Sequence, residues 1–138
     1  MRQFKVVCAK TNLSQIYNRI ATATPMIIYK ICPVSLWQEA ERQGVFKGAP
    51  VDLSDGFIHF STAEQVEETA AKHFAGQSGL LLVSIDADRL GESLKWEPSR
   101  GGALFPHLYG DLPLAAVTRV ESLPLGPDGR HAFPPPAR

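Results

Sequence analysis

Cysteine is scarce in this 138-residue chain: Cys8 and Cys32 are the only two. Their spacing forms neither a CxxC nor a zinc pattern, so a disulfide scaffold and a structural zinc knot are both excluded. Such sparse cysteine fits a reducing, intracellular setting, and the chain is expected to be cytoplasmic. Net charge is absent too, with 14 basic and 14 acidic residues. Acidic residues are missing from the first 25 positions, where Arg2, Lys5, Lys10 and Arg19 stand, leaving ten basic against fourteen acidic residues in the remainder. A net acidic body argues against a groove built on phosphate neutralisation, and so against a nucleic-acid partner. No apolar run approaches the 18 or more residues of a membrane span.

What is present reads as one domain. Residues 1–25 lack the apolar core of a secretory signal and are expected to be a disordered or loosely attached leader. The domain is expected over 26–133, with 134–138 a flexible tail. MIIYKI (26–31) predicts a strand. Ser35 and Gln38 offer a capping box for a short helix over 36–43, closed by Gly44. Residues 45–54 read as an irregular connection. FIHF (57–60) predicts a strand, and Ser61 and Thr62 predict the start of a helix over 63–74. LLLVSID, LKWE, LFPHLY and AAVTRVESL follow as strands. β-α-β-α followed by several strands implies an α+β fold with a mixed or antiparallel sheet and two short helices.

The chemistry concentrates in three places. His59 and Ser61 sit at a strand-to-helix junction, where helix amides favour negative charge. His107 and Tyr109, two apart in FPHLYG, share a face, and Pro106 predicts an edge strand or the rim of a site. Glu97, beside Trp96, is a candidate acid or base. His73 complements a helix C-terminus, and His131 carries no evident role. No P-loop, G-x-G-x-x-G or G-x-S-x-G is present. A single H-x-S unit at His59–Ser61 lacks the second copy that two-histidine phosphoesterases need.

The pattern IYKI, W-x-x-A, D-x-x-DGFIHFST-x-x-Q-x-x-x-T, KHF, L-x-W-E and LFPHLYG-x-L resembles a small bacterial family, domain of unknown function 952. That family in turn is similar to the ADP-ribosyltransferase superfamily, whose split pair of small sheets grips NAD or an ADP-ribose-like nucleotide. The resemblance implies catalytic roles for His59, Glu97 and His107. It implies nucleotide contacts from Tyr29, Lys30, Ser61, Thr62, Arg100 and Tyr109. NAD enters as a substrate, a small-molecule nucleotide is the partner, and no metal is expected. The superfamily's late-strand glutamate has no counterpart in LFPHLYG, so Glu97 would have to serve from another place. Two rival expectations follow: a binding module that has lost the chemistry, and a metal-assisted hydrolase using His59 and His107.

Overall fold

The computed structural model describes residues 25–135. The expected leader and residues 136–138 therefore lie outside the described residues. Strand β1 (Ile27–Pro33) runs directly into helix α1 (Val34–Gln43). Strand β2 (Val45–Phe46) and helix α2 (Pro50–Asp55) precede β3 (Ile58–His59) and α3 (Val66–His73). Then come β4 (Leu80–Asp86), β5 (Leu94–Pro98), β6 (Leu104–Leu108), β7 (Leu112–Pro113) and β8 (Val117–Leu123). Among the described residues these form three antiparallel sheets, ordered β1-β4-β8, β3-β6-β5 and β2-β7. The chain is thus α+β, as expected, with antiparallel pairing throughout its ladders.

The first sheet works on both faces because strand side chains alternate. Ile28 and Cys32 of β1, with Val83 and Ile85 of β4, pack toward Trp37, Phe46, Ile58, Phe60 and Leu108. Tyr29 and Ile31, with Leu80 and Leu82, face α3 through Val66 and Ala70. Alternation therefore turns Lys30 into the layer between the two three-stranded sheets, where it is 6% exposed. A charge in that position must be paired. An isolated antiparallel bridge also ties the first sheet to the end of β3, where the Ser61 and Tyr29 backbones exchange bonds of 2.8 and 2.9 Å.

Several local expectations are corrected. Helix α1 starts at Val34, so Ser35 lies inside its first turn and no side chain caps it. The Val34 N–H instead donates to the Gly79 carbonyl at 3.0 Å, a tertiary bond that replaces the cap. Residues 45–54 are not irregular: they hold β2 and most of α2. Pro50 at the first helical position and Asp52 two residues later are ordinary helix-start signals, and the Asp52 carboxylate accepts from the Ala49 N–H at 2.8 Å. There are consequently three short α-helices rather than two among the described residues. Helix α3 begins at Val66 rather than Ala63, because residues 63–65 form a turn closed on the Thr62 carbonyl.

The strand carrying Pro106 is central, not an edge. The Phe60 N–H donates to the Pro106 carbonyl at 3.0 Å, so Pro106 turns its backbone toward β3. Its missing N–H falls where the β3–β6 ladder ends after His59, and the proline costs little there.

Gly48 is the glycine at which an added side chain meets the closest contact. Its φ is +119°, and an added Cβ would lie 2.9 Å from the Asp52 Cβ. Gly48→Ala is expected to lose about 2–4 kcal/mol from combined backbone strain and overpacking, measurable by urea unfolding.

Candidate functional site

The β3–β6 pairing sets His59 directly opposite His107. The next pair along, Phe60 and Pro106, carries the ladder bond, so the two histidines occupy a non-hydrogen-bonded position, where facing side chains come closest. Their rings meet edge to face at 5.4 Å between centroids. Phe57, one turn of the pleat before His59, stacks on His107 at 4.2 Å and touches His59 and Tyr109 at 4.6 and 5.2 Å.

Each histidine is held by a carboxylate. The His59 Nδ1 lies 2.6 Å from the Asp52 Oδ1. Asp52 is 1% exposed and also accepts from the Lys30 Nζ at 2.8 and 3.0 Å and from the His59 N–H at 3.1 Å. Burial alone would push the Asp52 carboxyl up, but the bonds from His59 and the Lys30 ammonium overcome it and hold the group down to about 2. Asp52 is thus an acceptor at neutral pH, and the His59 Nδ1 is the donor. The outward His59 Nε2 faces the Asp55 carboxylate at 3.0 Å. Burial lowers the Lys30 pKa, with Asp52 opposing the shift.

The second pairing uses the neighbouring strand. Glu97 of β5 is diagonal to His107 across the ladder, within reach of a long side chain. The His107 Nδ1 lies 2.7 Å from the Glu97 Oε1, and the Tyr109 hydroxyl donates to the same carboxylate at 2.9 and 3.1 Å. These bonds, His107's first, hold the Glu97 carboxyl below the usual range. The bond to Glu97 pushes the Tyr109 phenol up. Exposure separates the roles: His107 is 5% exposed under Phe57, whereas Glu97, Tyr109 and His59 reach the surface.

Of the expected site residues, His59, Glu97, His107 and Tyr109 therefore converge. Lys30 joins them only from behind, as the buried partner of Asp52, so it is not placed to meet a phosphate. Tyr29 faces the opposite side of its sheet, toward α3. Ser61 is buried with its hydroxyl 2.8 Å from that of Thr69, and the Thr62 N–H donates to the Gln65 side chain at 3.0 Å. Both serve the start of α3 rather than the histidines. The Arg100 side chain lies outside the described residues. Phe57, Asp52 and Asp55 are members that sequence reasoning missed, although D-x-x-DGF already carried all three. Among the described residues no three or more His, Cys, Asp or Glu are grouped to hold a metal ion.

The family described as "Protein of unknown function (DUF952)" matches residues 31–120. The chain belongs to the DUF952 family. Protein CC0527 from Caulobacter crescentus, solved by X-ray crystallography, is 54% identical, with 77% of this chain and 93% of that chain covered and a TM-score of 0.75. The solution NMR structure of CC0527 is 54% identical, with 76% and 90% covered and a TM-score of 0.69. No curated protein matches this DUF952 chain. No helix among its described residues is long and apolar enough to cross a membrane.

Proposed function

We propose that this chain is a nucleotide-binding, enzyme-like protein of ADP-ribosyltransferase type, acting on NAD or an ADP-ribose-related small molecule. One observation carries the reading: the Glu97 carboxylate of β5 meets His107 and Tyr109 of the FPHLYG segment, at 2.7 and 2.9 Å. The acid lacking from that segment's own sequence is supplied by the strand beside it.

The chemistry follows from the charge. A carboxylate held below its usual range stays ionised, which suits it to stabilise a cation rather than to donate a proton. In hydrolysis of NAD, the bond from the anomeric carbon to nicotinamide breaks and its electron pair leaves with the ring nitrogen. Positive charge develops on the ribosyl carbon beside Glu97. Water oxygen then bonds that carbon and gives its proton to the carboxylate. His107, covered by Phe57, is a positioning residue for Glu97. His59, held by Asp52, presents its Nε2 outward to orient the leaving base, and Asp55 must swing aside for it.

The rival reading, a binding module without turnover, draws on a different observation. The polar groups of the site are already paired with one another, and two clefts of the surface, one at Tyr29 and Ser84 and one at Ala70 and His131, contain none of them. Thermal denaturation with millimolar NAD or ADP-ribose tests both. The expected result is a rise in melting temperature that His59→Ala abolishes, with nicotinamide released over hours. Binding without release favours the module, and no shift with either ligand refutes the nucleotide site itself.

A further inference from the structure

The first sheet ends on β8, a strand of seven residues. An edge strand presents a row of unpaired N–H and C=O groups, a template for another strand. The other edges among the described residues are shorter or occupied. β1 is bonded outward to Ser61, β5 closes on Pro98, and β2, β3 and β7 have two residues each. β8 holds no proline or lysine of the kind that blunts an edge, and its two charges, Arg119 and Glu121, are of opposite sign. The chain leaving β8 turns back at Pro124, whose carbonyl accepts from the Ala132 N–H at 2.8 Å, and Phe133 packs on the α3 side. It covers a face of the sheet, while Thr118, Arg119, Val120 and Ser122 remain exposed along the edge.

The direction of the backbone groups on this edge follows from the opposite edge of the sheet. Tyr29 exchanges both backbone bonds with Ser61, outward from β1, so its pairing with Ser84 is a non-hydrogen-bonded one. The Ser84 backbone therefore points to β8, where Arg119 is its partner. Alternation then turns the N–H and C=O of Val120 and Ser122 outward. No other segment bonds to them among the described residues. Thr118 has no partner in the β4 ladder, and this bulge ends the regular edge.

The side chains select the occupant. A two-fold axis that joins two copies edge to edge in one sheet stands normal to it, so one residue of β8 must face itself. Centred on Arg119 or on Glu121, the pairing sets like charges opposite each other, which is destabilising. Centred on Ser122, it brings Val120 against Pro124, which has no N–H to give. Centred on Val120, it sets Arg119 opposite Glu121 of the second copy on both sides of the axis. Val120, 41% exposed, then covers its own counterpart. Its outward backbone exchanges both bonds across the axis, and Arg119 and Glu121 take the non-hydrogen-bonded positions, where facing side chains come closest. Arg119 already pairs with Glu121 within one copy, and the second copy gives each guanidinium another carboxylate.

We infer that β8 is a self-association edge: two copies of this chain pair antiparallel about Val120, giving one sheet in the order β1-β4-β8-β8-β4-β1. The ladder is short, which places the dimer among weak, reversible associations. It uses no residue of the histidine site, so it stands apart from the proposed function.

Sedimentation equilibrium of the full chain, from micromolar to millimolar concentration, tests this. The expected result is a reversible monomer–dimer equilibrium. Arg119→Glu sets carboxylates opposite each other on both sides of the axis, and Glu121→Arg does the same with guanidiniums. Each is expected to weaken dimerisation about tenfold, because opposed like charges replace opposed unlike ones. Mixing the two variants separates this pairing from the one within a chain. An all-acidic edge then meets an all-basic one, and dimers return although neither chain keeps its own Arg119–Glu121 pair. Arg119 is exposed, so its variant decides the matter even where Glu121→Arg unfolds. A wild type that stays monomeric at millimolar concentration, an Arg119→Glu variant that dimerises like wild type, or a mixture of folded variants no more dimeric than its parts would each overturn the assignment.

Discussion

Asp52→Ala is expected to lower the melting temperature by on the order of 15 °C, the largest single-residue effect we anticipate. The substitution leaves the Lys30 ammonium in the layer between the sheets with the His59 carbonyl, 3.0 Å away, as its one remaining partner among the described residues. It also strips the Ala49 and His59 N–H groups of their acceptor. Breaking one side of a buried ion pair typically costs about 3–5 kcal/mol, because the other charge stays buried. Lys30→Met is expected to be far milder. Burial dominates the lowered Lys30 pKa, so removing the ammonium removes a desolvation penalty, and Asp52 keeps its bonds to His59 and Ala49. The double variant Lys30→Met/Asp52→Ala should accordingly lose less than the sum of the two, a coupling that calorimetry on all four proteins would measure.

The pH dependence has a defined sign. Folding depresses the Asp52 pKa from 3.8 to about 2, so folding favours its ionised form. That contribution is complete above the unfolded value and disappears as pH falls from there through about 2. Urea unfolding at neutral pH and near pH 2.5 should show the wild type losing stability that Asp52→Ala never had. A parallel decline in both proteins would mean that other carboxylates carry the acid sensitivity.

The same residue shows why some of this site was legible in sequence and some was not. Local pattern revealed the strand at His59, the turn at Asp55-Gly56 and the strand at His107, since alternation and turn chemistry act within a few residues. Convergence of His59 and His107 depends on register between strands nearly fifty positions apart, which no local signal encodes. Asp52 was hidden because its helix has only six residues and lies among Gly and Pro that read as a loop. The resemblance assigns both Tyr29 and Lys30 to a nucleotide, yet alternation puts such neighbours on opposite faces. Only the placement of α3 tells which face is which. Pro106 misled for the reverse reason: a local rule about edges gave way where the partner strand simply ends.

Glu97→Gln is expected to separate binding from chemistry. The carboxamide oxygen still accepts from Tyr109, so the exposed end of β5 keeps its geometry and the melting shift with NAD should be retained. The charge is lost, and with it the stabilisation of a ribosyl cation that the proposed function assigns to Glu97. Removing one such preorganised group typically costs on the order of 10²–10³-fold in rate, and nicotinamide release should fall by that factor. Tyr109→Phe supplies the control: it removes one of the two groups that fix the Glu97 carboxylate and leaves its charge, so a much smaller loss in rate is expected. If Glu97→Gln abolishes the melting shift as well, Glu97 acts as a ligand-binding group and the cation argument fails. If the rate is unchanged, the acid that acts on NAD lies elsewhere, and the meeting of Glu97, His107 and Tyr109 is a structural tie between β5 and β6.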